Sequence, residues 1–437
     1  MTTDLIQIKK VFMIGIGGIG ISALARLFAS RGVLVSGIND EKTGMTIETL
    51  QKEGVEIVFQ DDWTGLPEAD LYVYSDAWIY RGPEIIESAK KTGKPVLSYF
   101  EALGIVAKDY KVIAISGVHG KTTTTAMVAE VLIDAGLDPT VIVGSFVKKF
   151  ESNFRSGKSG WLLVEADEYM RHFLNFQPTI TVITNIEVDH LDYYKDLEDI
   201  KDAFASLIKN TSQTVIYNTN DLHTSMLIQN ISLSTIDYSK YLNTLPKLKV
   251  PGEHNRLDAG SAKAVGVALQ ILEEKINESL SNFAGTWRRL EKRGKTESGT
   301  IIYDDYAHHP TEVRASLQAL REIYPKSEKR IVVIFQPHLY SRTKALFNDF
   351  INAFDEADTV GFLPIYFARE DPDPSVSSEK LASEISKHKE NIFSLNFEEA
   401  ENYLQQLNLG GDDVIVTMGA GEAYKVADKM LNGRDLV

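Results

Sequence analysis

Cysteine is absent from this 437-residue sequence, so it can hold neither a disulfide nor a thiolate metal site, and nothing points to secretion. Long apolar runs are absent too: no stretch approaches the roughly 18–20 apolar residues that span a bilayer. The opening residues MTTDLIQIKK lead into a short apolar run that breaks into glycines, which is not a signal-peptide pattern. A cytoplasmic protein with no membrane association is therefore expected. Positive charge is scarce, with 46 Lys and Arg against 61 Asp and Glu and a formal net charge of −15. A nucleic-acid binder needs a basic face to neutralise phosphates, so no nucleic-acid partner is expected. A small phosphorylated ligand stays allowed, because it needs only a few local donors. Internal repeats and low-complexity tracts are also missing.

What is present reads as a globular protein of ordinary composition, 43% apolar and 24% charged. The chain is too long for one hydrophobic core, so two or three domains are expected. Short β-branched runs alternate with longer amphipathic stretches, the pattern of α/β domains with parallel sheets. VFMIGI (11–16) reads as a strand, and IGISALARLFASRG as a helix closed by Gly32. LVSGI and LYVYS (71–75) supply further strands. A second unit begins at KVIAIS (111–116) and continues through GVHGKTTTT, the helix AMVAEVLIDAG, and strands in WLLVEAD (161–167) and TITVITN (179–185). A third begins near IIYDDY (301–306), with RIVVIF (330–335) and DVIVTM (413–418) as later strands. The expected domains are 1–108, 109–295 and 296–437. PKLKVPGEHN (246–255) reads as irregular or edge-strand chain, given its two prolines.

Gly15, Gly17, Gly18 and Gly20 form a G-x-G-x-x-G turn between a strand and a helix. Such glycines permit a tight turn and bring backbone N–H groups to a phosphate at a helix N-terminus. Asp40 ends the next strand, where an acid reaches a ribose hydroxyl. Alone, this motif fits NAD, FAD or another nucleotide, and a dehydrogenase is the obvious rival reading. The stronger signal is Ser116-Gly117-Val118-His119-Gly120-Lys121-Thr122-Thr123, again between a strand and a helix. Gly120 lets the backbone wrap anionic oxygens, Lys121 offers a charge to the β/γ-phosphates, and Thr122 offers a hydroxyl to Mg²⁺. The spacing is not a strict Walker A, because Ile115 stands where the first glycine would fall.

Acidic and polar clusters follow at later strand ends. Glu165-Ala-Asp167-Glu168 supplies hard oxygen ligands where ligands of parallel sheets bind. Thr184-Asn185-Ile-Glu187-Val-Asp189-His190 follows another strand, and metal or phosphate contact is favoured for it over a structural role. Further on come Gly252-Glu-His254-Asn255, Trp287-Arg288-Arg289-Leu-Glu291 and Asp304-Asp305-Tyr306-Ala-His308-His309-Pro310. The arginine pair could grip phosphate, and Asp305 could take ribose hydroxyls. His308 and His309 do not suggest zinc, because neighbours on an extended segment face opposite ways and no third ligand is evident.

GxHGKTTTT, EADEY, TNIEVDHLDYY, GEHN, RRLE and DDYAHHPTEV, in this order over nearly the whole chain, resemble the Mur ligases of peptidoglycan synthesis. The resemblance implies an α/β protein of three domains: an N-terminal Rossmann-like UDP-binding domain, a central P-loop ATPase-like domain and a C-terminal Rossmann-like domain. GIGGIG, FQPHLYSRT (335–343), PIYFARE (364–370) and TMGAG (417–421) are similar to the member that adds L-alanine to UDP-N-acetylmuramate. YRGPE (80–84) leans toward the member that recycles a ready-made tripeptide. Several Mur ligases carry a carbamylated lysine fourteen residues beyond the D-H histidine; Phe204 stands there, so no carbamate bridge is expected.

By resemblance, ATP and Mg²⁺ are the cofactors. Gly117, His119, Gly120, Lys121, Thr122 and Thr123 would hold the phosphates, with Thr122, Glu165 and His190 at the metal. His254 and Asn255 would flank the adenine, Arg289 would contact phosphate, and Asp305 the ribose. The glycine turn with Asp40 and Ser75 would take the UDP-sugar, and His308, His309, His338 and Arg342 would line the substrate side, the last two near the amino-acid carboxylate. Lys121, Glu165, His190 and Arg289 would be the catalytic set, and the protein a monomer or homodimer. Two departures stand out: Asp258 occupies the place of a second family asparagine, and the interval from NTND (218–221) to GEHN is short, as though a small extra sheet of the central domain were reduced. The implied chemistry is carboxylate attack on the γ-phosphorus of ATP, then amine attack on the acyl phosphate; the amine needs a nearby base, for which His309 and His338 are candidates that the sequence does not decide between. A non-catalytic nucleotide-binding regulator is the rival from another class.

Overall fold

The computed structural model describes residues 8–229, 231–368 and 370–432, and they form three sheets. The first holds β1 (Lys10–Ile14), β2 (Leu34–Asn39), β3 (Glu56–Phe59), β4 (Leu71–Tyr74) and β5 (Val96–Ser98), all parallel in the order β3-β2-β1-β4-β5. The order reverses between β1 and β4, which opens a crevice at their C-terminal ends, beside the glycine turn. Helix Ile19–Ser30 follows that turn and, as expected, stops just before Gly32, which sits at φ +79°. Helix Tyr99–Ala107 starts in a capping box: Ser98 accepts from the Glu101 N–H at 3.3 Å, and Glu101 accepts from the Ser98 N–H at 2.8 Å.

The second sheet holds β6 (Lys111–Ser116), β7 (Thr140–Val147), β8 (Ser152–Arg155), β9 (Trp161–Glu165), β10 (Ile180–Ile183), β11 (Thr214–Tyr217) and β12 (Ser234–Asp237), in the order β12-β11-β10-β6-β9-β7-β8. Its strands are parallel except for the β7–β8 hairpin. Because β9 and β10 flank β6, the residues following all three strands gather at one edge. Between Asp237 and Glu253 no strand occurs among the described residues. The chain there passes through a 3₁₀ turn, Tyr238–Thr244; of the stretch 246–255, residues 246–252 are irregular as expected, but Glu253–Asn255 already belong to helix Glu253–Ala268.

The third sheet holds β13 (Glu291–Lys295), β14 (Ile301–Asp305), β15 (Arg330–Phe335), β16 (Thr359–Phe362), β17 (Ile392–Ser394) and β18 (Asp413–Met418), in the order β13-β14-β18-β15-β16-β17. Only the β13 edge is antiparallel. Alternation along β15 sends Ile331, Val333 and Phe335 to a core with Phe350, Phe354 and Phe362. Val332 and Ile334 go to the opposite core with Ala423 and Val426. Burial of both faces explains the unbroken apolar run RIVVIF.

The chain divides into two compact units: one runs to Glu187 and adds Glu198–Pro246 and Asp258–Ser281; the other comprises Val188–Leu197, Lys247–Leu257 and the chain from Asn282. Among the described residues no helix is long and apolar enough to cross a membrane.

Asp304, fully buried in β14, is matched by Arg288, whose Nε donates to it at 2.8 Å. The rest of the guanidinium donates to the carbonyls of Gly419 at 2.7 Å and Gly421 at 3.2 Å and lies over the Tyr424 ring. Asp304→Ala would strand this buried cation. We expect it to lower the unfolding free energy by about 3–5 kcal/mol, read as an earlier urea midpoint for the unit containing the third sheet. Lys292→Ala, on the exposed side of β13, should stay within about 0.5 kcal/mol of the parent. A shift no larger than this control would show that the Arg288–Asp304 pair does not stabilise this unit.

Candidate active site

Gly117 and Gly120 have φ of +131° and +80°, and Gly120 caps helix Lys121–Asp134. Each is also pressed by a neighbour: a Cβ on Gly117 would lie 2.0 Å from Thr184 Oγ1, and one on Gly120 would lie 2.3 Å from Asp258 Oδ1. Thr184 and Asn185, which follow β10, hold the loop's backbone. Asn185 Oδ1 accepts from the His119 N–H at 3.0 Å, and the Asn185 carbonyl accepts from the Val118 N–H at 3.2 Å. The His119 carbonyl accepts from Thr184 Oγ1 at 2.6 Å and from Asn185 Nδ2 at 3.0 Å. These two residues therefore brace the loop from behind. The loop's open side is the helix N-terminus, whose first N–H groups have no intrahelical carbonyl and suit an anion.

Lys121 begins that helix and turns back to Glu168, with Nζ 2.7 Å from Oε2 and 3.0 Å from Oε1. Burial works to lower the Lys121 pKa, but the charge of Glu168, with Asp167 and Glu165 behind it, outweighs burial and raises it. Burial raises Glu168 to about 7 against the pull of Lys121. Thr122 Oγ1 donates to Glu165 Oε1 at 2.9 Å, and the other Glu165 oxygen accepts from the Gly144 N–H at 2.7 Å. A hydroxyl and an oriented carboxylate are the hard oxygen donors that Mg²⁺ takes, so these two side chains fit that ion. His119 Nε2 lies 3.0 Å from Glu187. Phe204, at the carbamate position, is buried edge-to-face against Phe173.

In the other unit His190 has φ +54° and its N–H donates to Asp189 Oδ1 at 2.7 Å. Asp189 is buried, yet Arg342 holds its carboxyl well below the usual range, donating from Nε at 3.0 Å and Nη2 at 3.3 Å. Arg342 Nη1 faces His338 Nδ1 at 3.1 Å. The arginine expected beside an amino-acid carboxylate thus spends its fork on Asp189. Arginine only donates, so His338 Nδ1 is the acceptor in this pair. His309 is buried and caps helix Pro310–Ile323, accepting from the Thr311 N–H at 3.3 Å. Asp305 is buried, with one oxygen on the Ser316 hydroxyl and the other accepting from the Ala307 N–H at 3.3 Å; burial raises it to about 6. Of the arginine pair, Arg288 is excluded from gripping phosphate by its pairing with Asp304, whereas Arg289 stacks on Tyr306. His254, held neutral by burial at about 4, sits 3.0 Å from the Asn255 amide nitrogen.

In the first sheet, the Gly15 N–H donates to the Ile38 carbonyl at 2.8 Å, and its Cβ position is filled by the Trp78 indole. Asn39, a residue the sequence reading passed over, accepts from the Gly17 N–H at 3.0 Å. Its neighbour Asp40 instead pairs with Arg81 at 2.7 Å. Ser75 follows β4 and lies 3.8 Å from where a Gly18 Cβ would stand. The Tyr99 ring lies against Gly20, and its pKa is raised by burial and by Glu165 and Asp167. Glu168 was expected only as part of the acidic cluster after β9, and Asp258 only as a departure from the family's asparagine; neither the Lys121 pairing nor the contact with Gly120 was anticipated.

Three family models match the chain: the Mur ligase family catalytic domain over residues 10–111, the Mur ligase middle domain over 115–249, and the Mur ligase glutamate ligase domain over 288–421. The UDP-N-acetylmuramate–L-alanine ligase of Caldanaerobacter subterraneus subsp. tengcongensis is 38% identical over 464 residues, covering 99% of each chain. The chain belongs to the Mur ligase family. A solved UDP-N-acetylmuramate–alanine ligase from Thermotoga maritima superposes on this Mur ligase with a TM-score of 0.79 at 28% identity, over 97% of this chain and 98% of that one. A murein peptide ligase from Psychrobacter arcticus gives 0.72 at 21% identity, over 98% and 100%, and speaks to the fold alone.

His308 is expected to give this Mur ligase an acid sensitivity. Burial lowers it to about 4, so the folded state keeps it neutral while the unfolded chain titrates near 6.5. Its contribution is present above pH 6.5 and is lost as pH falls toward 4, with a slope of about 1.4 kcal/mol per pH unit. Asp305, raised to about 6, contributes with the opposite sign in the lower part of that window. His308→Gln should therefore lose less stability than the parent between pH 6.5 and 4 in parallel denaturant titrations. Parallel losses in the two proteins would mean that another group is responsible.

Proposed function

We propose that this chain is an ATP-dependent ligase that joins L-alanine to the lactyl carboxylate of UDP-N-acetylmuramate, a cytoplasmic step of peptidoglycan synthesis. The observation that carries the reading is the meeting of Lys121, Thr122, Glu165 and Glu168 at the ends of two adjacent strands, in a chain whose full-length relatives bear that activity in their names. We assign the UDP-sugar to 1–108, ATP to 109–295 and the amino acid to 296–437. A dehydrogenase or a silent nucleotide-binding regulator would have no use for the Lys121 and Glu165 constellation.

In the proposed reaction a carboxylate oxygen bonds to the γ-phosphorus while the bond to the bridging oxygen breaks, and ADP leaves with that electron pair. The alanine nitrogen then bonds to the acyl carbon, loses a proton, and phosphate departs from the same carbon. Mg²⁺, held by Thr122 and Glu165 with His190 assigned as a further ligand, would neutralise phosphate charge. The chain's own work is positioning: Gly117, His119, Gly120 and Thr123 wrap the phosphates with backbone, and Lys121 and Arg289 supply charge to the phosphoryl group in flight. His254 and Asn255 are assigned to the adenine and Asp305 to the ribose. Gly15, Gly17, Gly18, Gly20, Asp40 and Ser75 are assigned to the UDP-sugar, and His308, His309, His338 and Arg342 to the amino-acid side. Arg342 also holds Asp189, which helps to fix the loop that carries His190.

The deciding assay is phosphate release with UDP-N-acetylmuramate, with and without L-alanine. Lys121→Ala should cut the rate by at least about 10²–10³-fold while circular dichroism stays unchanged; a normal rate would remove the loop from the mechanism. Competition between L-alanine and L-Ala-γ-D-Glu-diaminopimelate, resolved by product mass, should yield the alanine product. Glycine and L-serine should be weaker substrates: glycine lacks the methyl group, which is worth about 1–3 kcal/mol, and L-serine adds a hydroxyl to it. A dominant tripeptide product would make the chain a recycling ligase instead.

A further inference from the structure

The Lys121 ammonium has three N–H donors, and four oxygens already surround it. Glu168 supplies Oε2 at 2.7 Å and Oε1 at 3.0 Å; the loop supplies the carbonyls of Gly117 at 2.7 Å and Val118 at 3.2 Å. The ammonium is folded back against its own loop, with every donor engaged. We propose that Glu168 is a latch on Lys121, a positioning residue that competes with nucleotide phosphate for the ammonium. Nucleotide binding and release are then an exchange of Lys121 between a carboxylate and phosphate oxygens. This rests on reading residues 117–122 as the ATP phosphate loop.

The direction of the effect follows from burial. The Glu168 side chain is 2% exposed and that of Lys121 14% exposed. When a phosphate takes the ammonium, the carboxylate cannot turn to water; it stays inside with its counter-charge drawn away. Its backbone is also fixed, because its carbonyl accepts from the Arg171 N–H at 2.9 Å and the following residues Met170 and Arg171 sit at φ +50° and +58°. A carboxylate so placed opposes nucleotide binding and favours release of ADP. Removing a residue that merely props up Lys121 would weaken nucleotide binding; removing a competitor tightens it.

Glu168→Gln keeps the shape and one acceptor oxygen while deleting the charge. The experiment is calorimetric titration of ADP at fixed Mg²⁺ into the parent, Glu168→Gln, Glu168→Asp and Lys121→Ala, with steady-state rates for each. For Glu168→Gln we expect a Kd for ADP about tenfold lower, equivalent to about 1.4 kcal/mol. A reduced kcat set by slow ADP release should accompany it, with the KM for UDP-N-acetylmuramate unchanged. Glu168→Asp keeps the charge but withdraws it by one methylene, so its ADP affinity should fall between the two. Should the glutamine variant not fold, the aspartate variant decides alone: tighter ADP binding supports the latch and unchanged or weaker binding overturns it. Unchanged or weaker ADP binding by Glu168→Gln overturns it equally. Lys121→Ala separates the two claims. Weakened ADP binding there keeps the phosphate-loop reading whatever Glu168→Gln does, and parent-like binding overturns that reading itself.

Discussion

A cation cannot be left bare inside a protein, and the arrangement around Lys121 depends on that constraint. Burial alone would push the ammonium toward neutrality, yet three carboxylates on one short segment keep it charged. Strand register supplies them. β6 and β9 run parallel with Ile115 opposite Glu165, so the chain leaving β9 falls beside the chain leaving β6. The first carboxylate after that point takes the Thr122 hydroxyl and the last takes Lys121. One tetrapeptide thus serves two neighbouring helix residues.

The loop's shape is held by contact as much as by glycine freedom. Positive φ at Gly117 and Gly120 admits other residues at some cost, but Thr184 and Asp258 fill the space a side chain would need. Asp258 also accepts from Thr124 Oγ1 at 3.0 Å, one turn into the helix. A carboxylate near a helix N-terminus is favourably placed against the helix dipole. Aspartate where the family shows asparagine is therefore compatible with the loop, since either side chain accepts a hydroxyl proton.

Legibility in the sequence followed how local the cause was. KVIAIS, RIVVIF and DVIVTM coincide with observed strands because both faces of each are covered and the apolar run ends where cover ends. The β13 segment EKRGK has no such run; it is a charged edge strand held by one neighbour, and nothing in its composition distinguishes it from a loop. Lys121, Thr122 and Glu165 were readable because each sits within a few residues of a strand end. Pairings across long sequence separations were not: Glu168 finds Lys121 across 47 residues and Asp189 finds Arg342 across 153. Which of Arg288 and Arg289 turns inward was equally hidden, because a positive φ at Arg288 directs it to Asp304.

The glycine turn shows how a motif can be right in form and silent about its reason. A side chain on Gly15 would strike the Trp78 indole, on Gly17 the Asn39 amide and on Gly20 the Tyr99 ring. Three of the four glycines are therefore demanded by the packing of the fold itself, with or without a ligand. Gly18 differs: its nearest neighbour is Ile21 Cγ2 at 3.3 Å, then its own turn and Ser75 Oγ at 3.8 Å, so a small side chain meets much less there. The case for a bound diphosphate at this turn rests less on the glycine count than on the helix N-terminus the turn exposes.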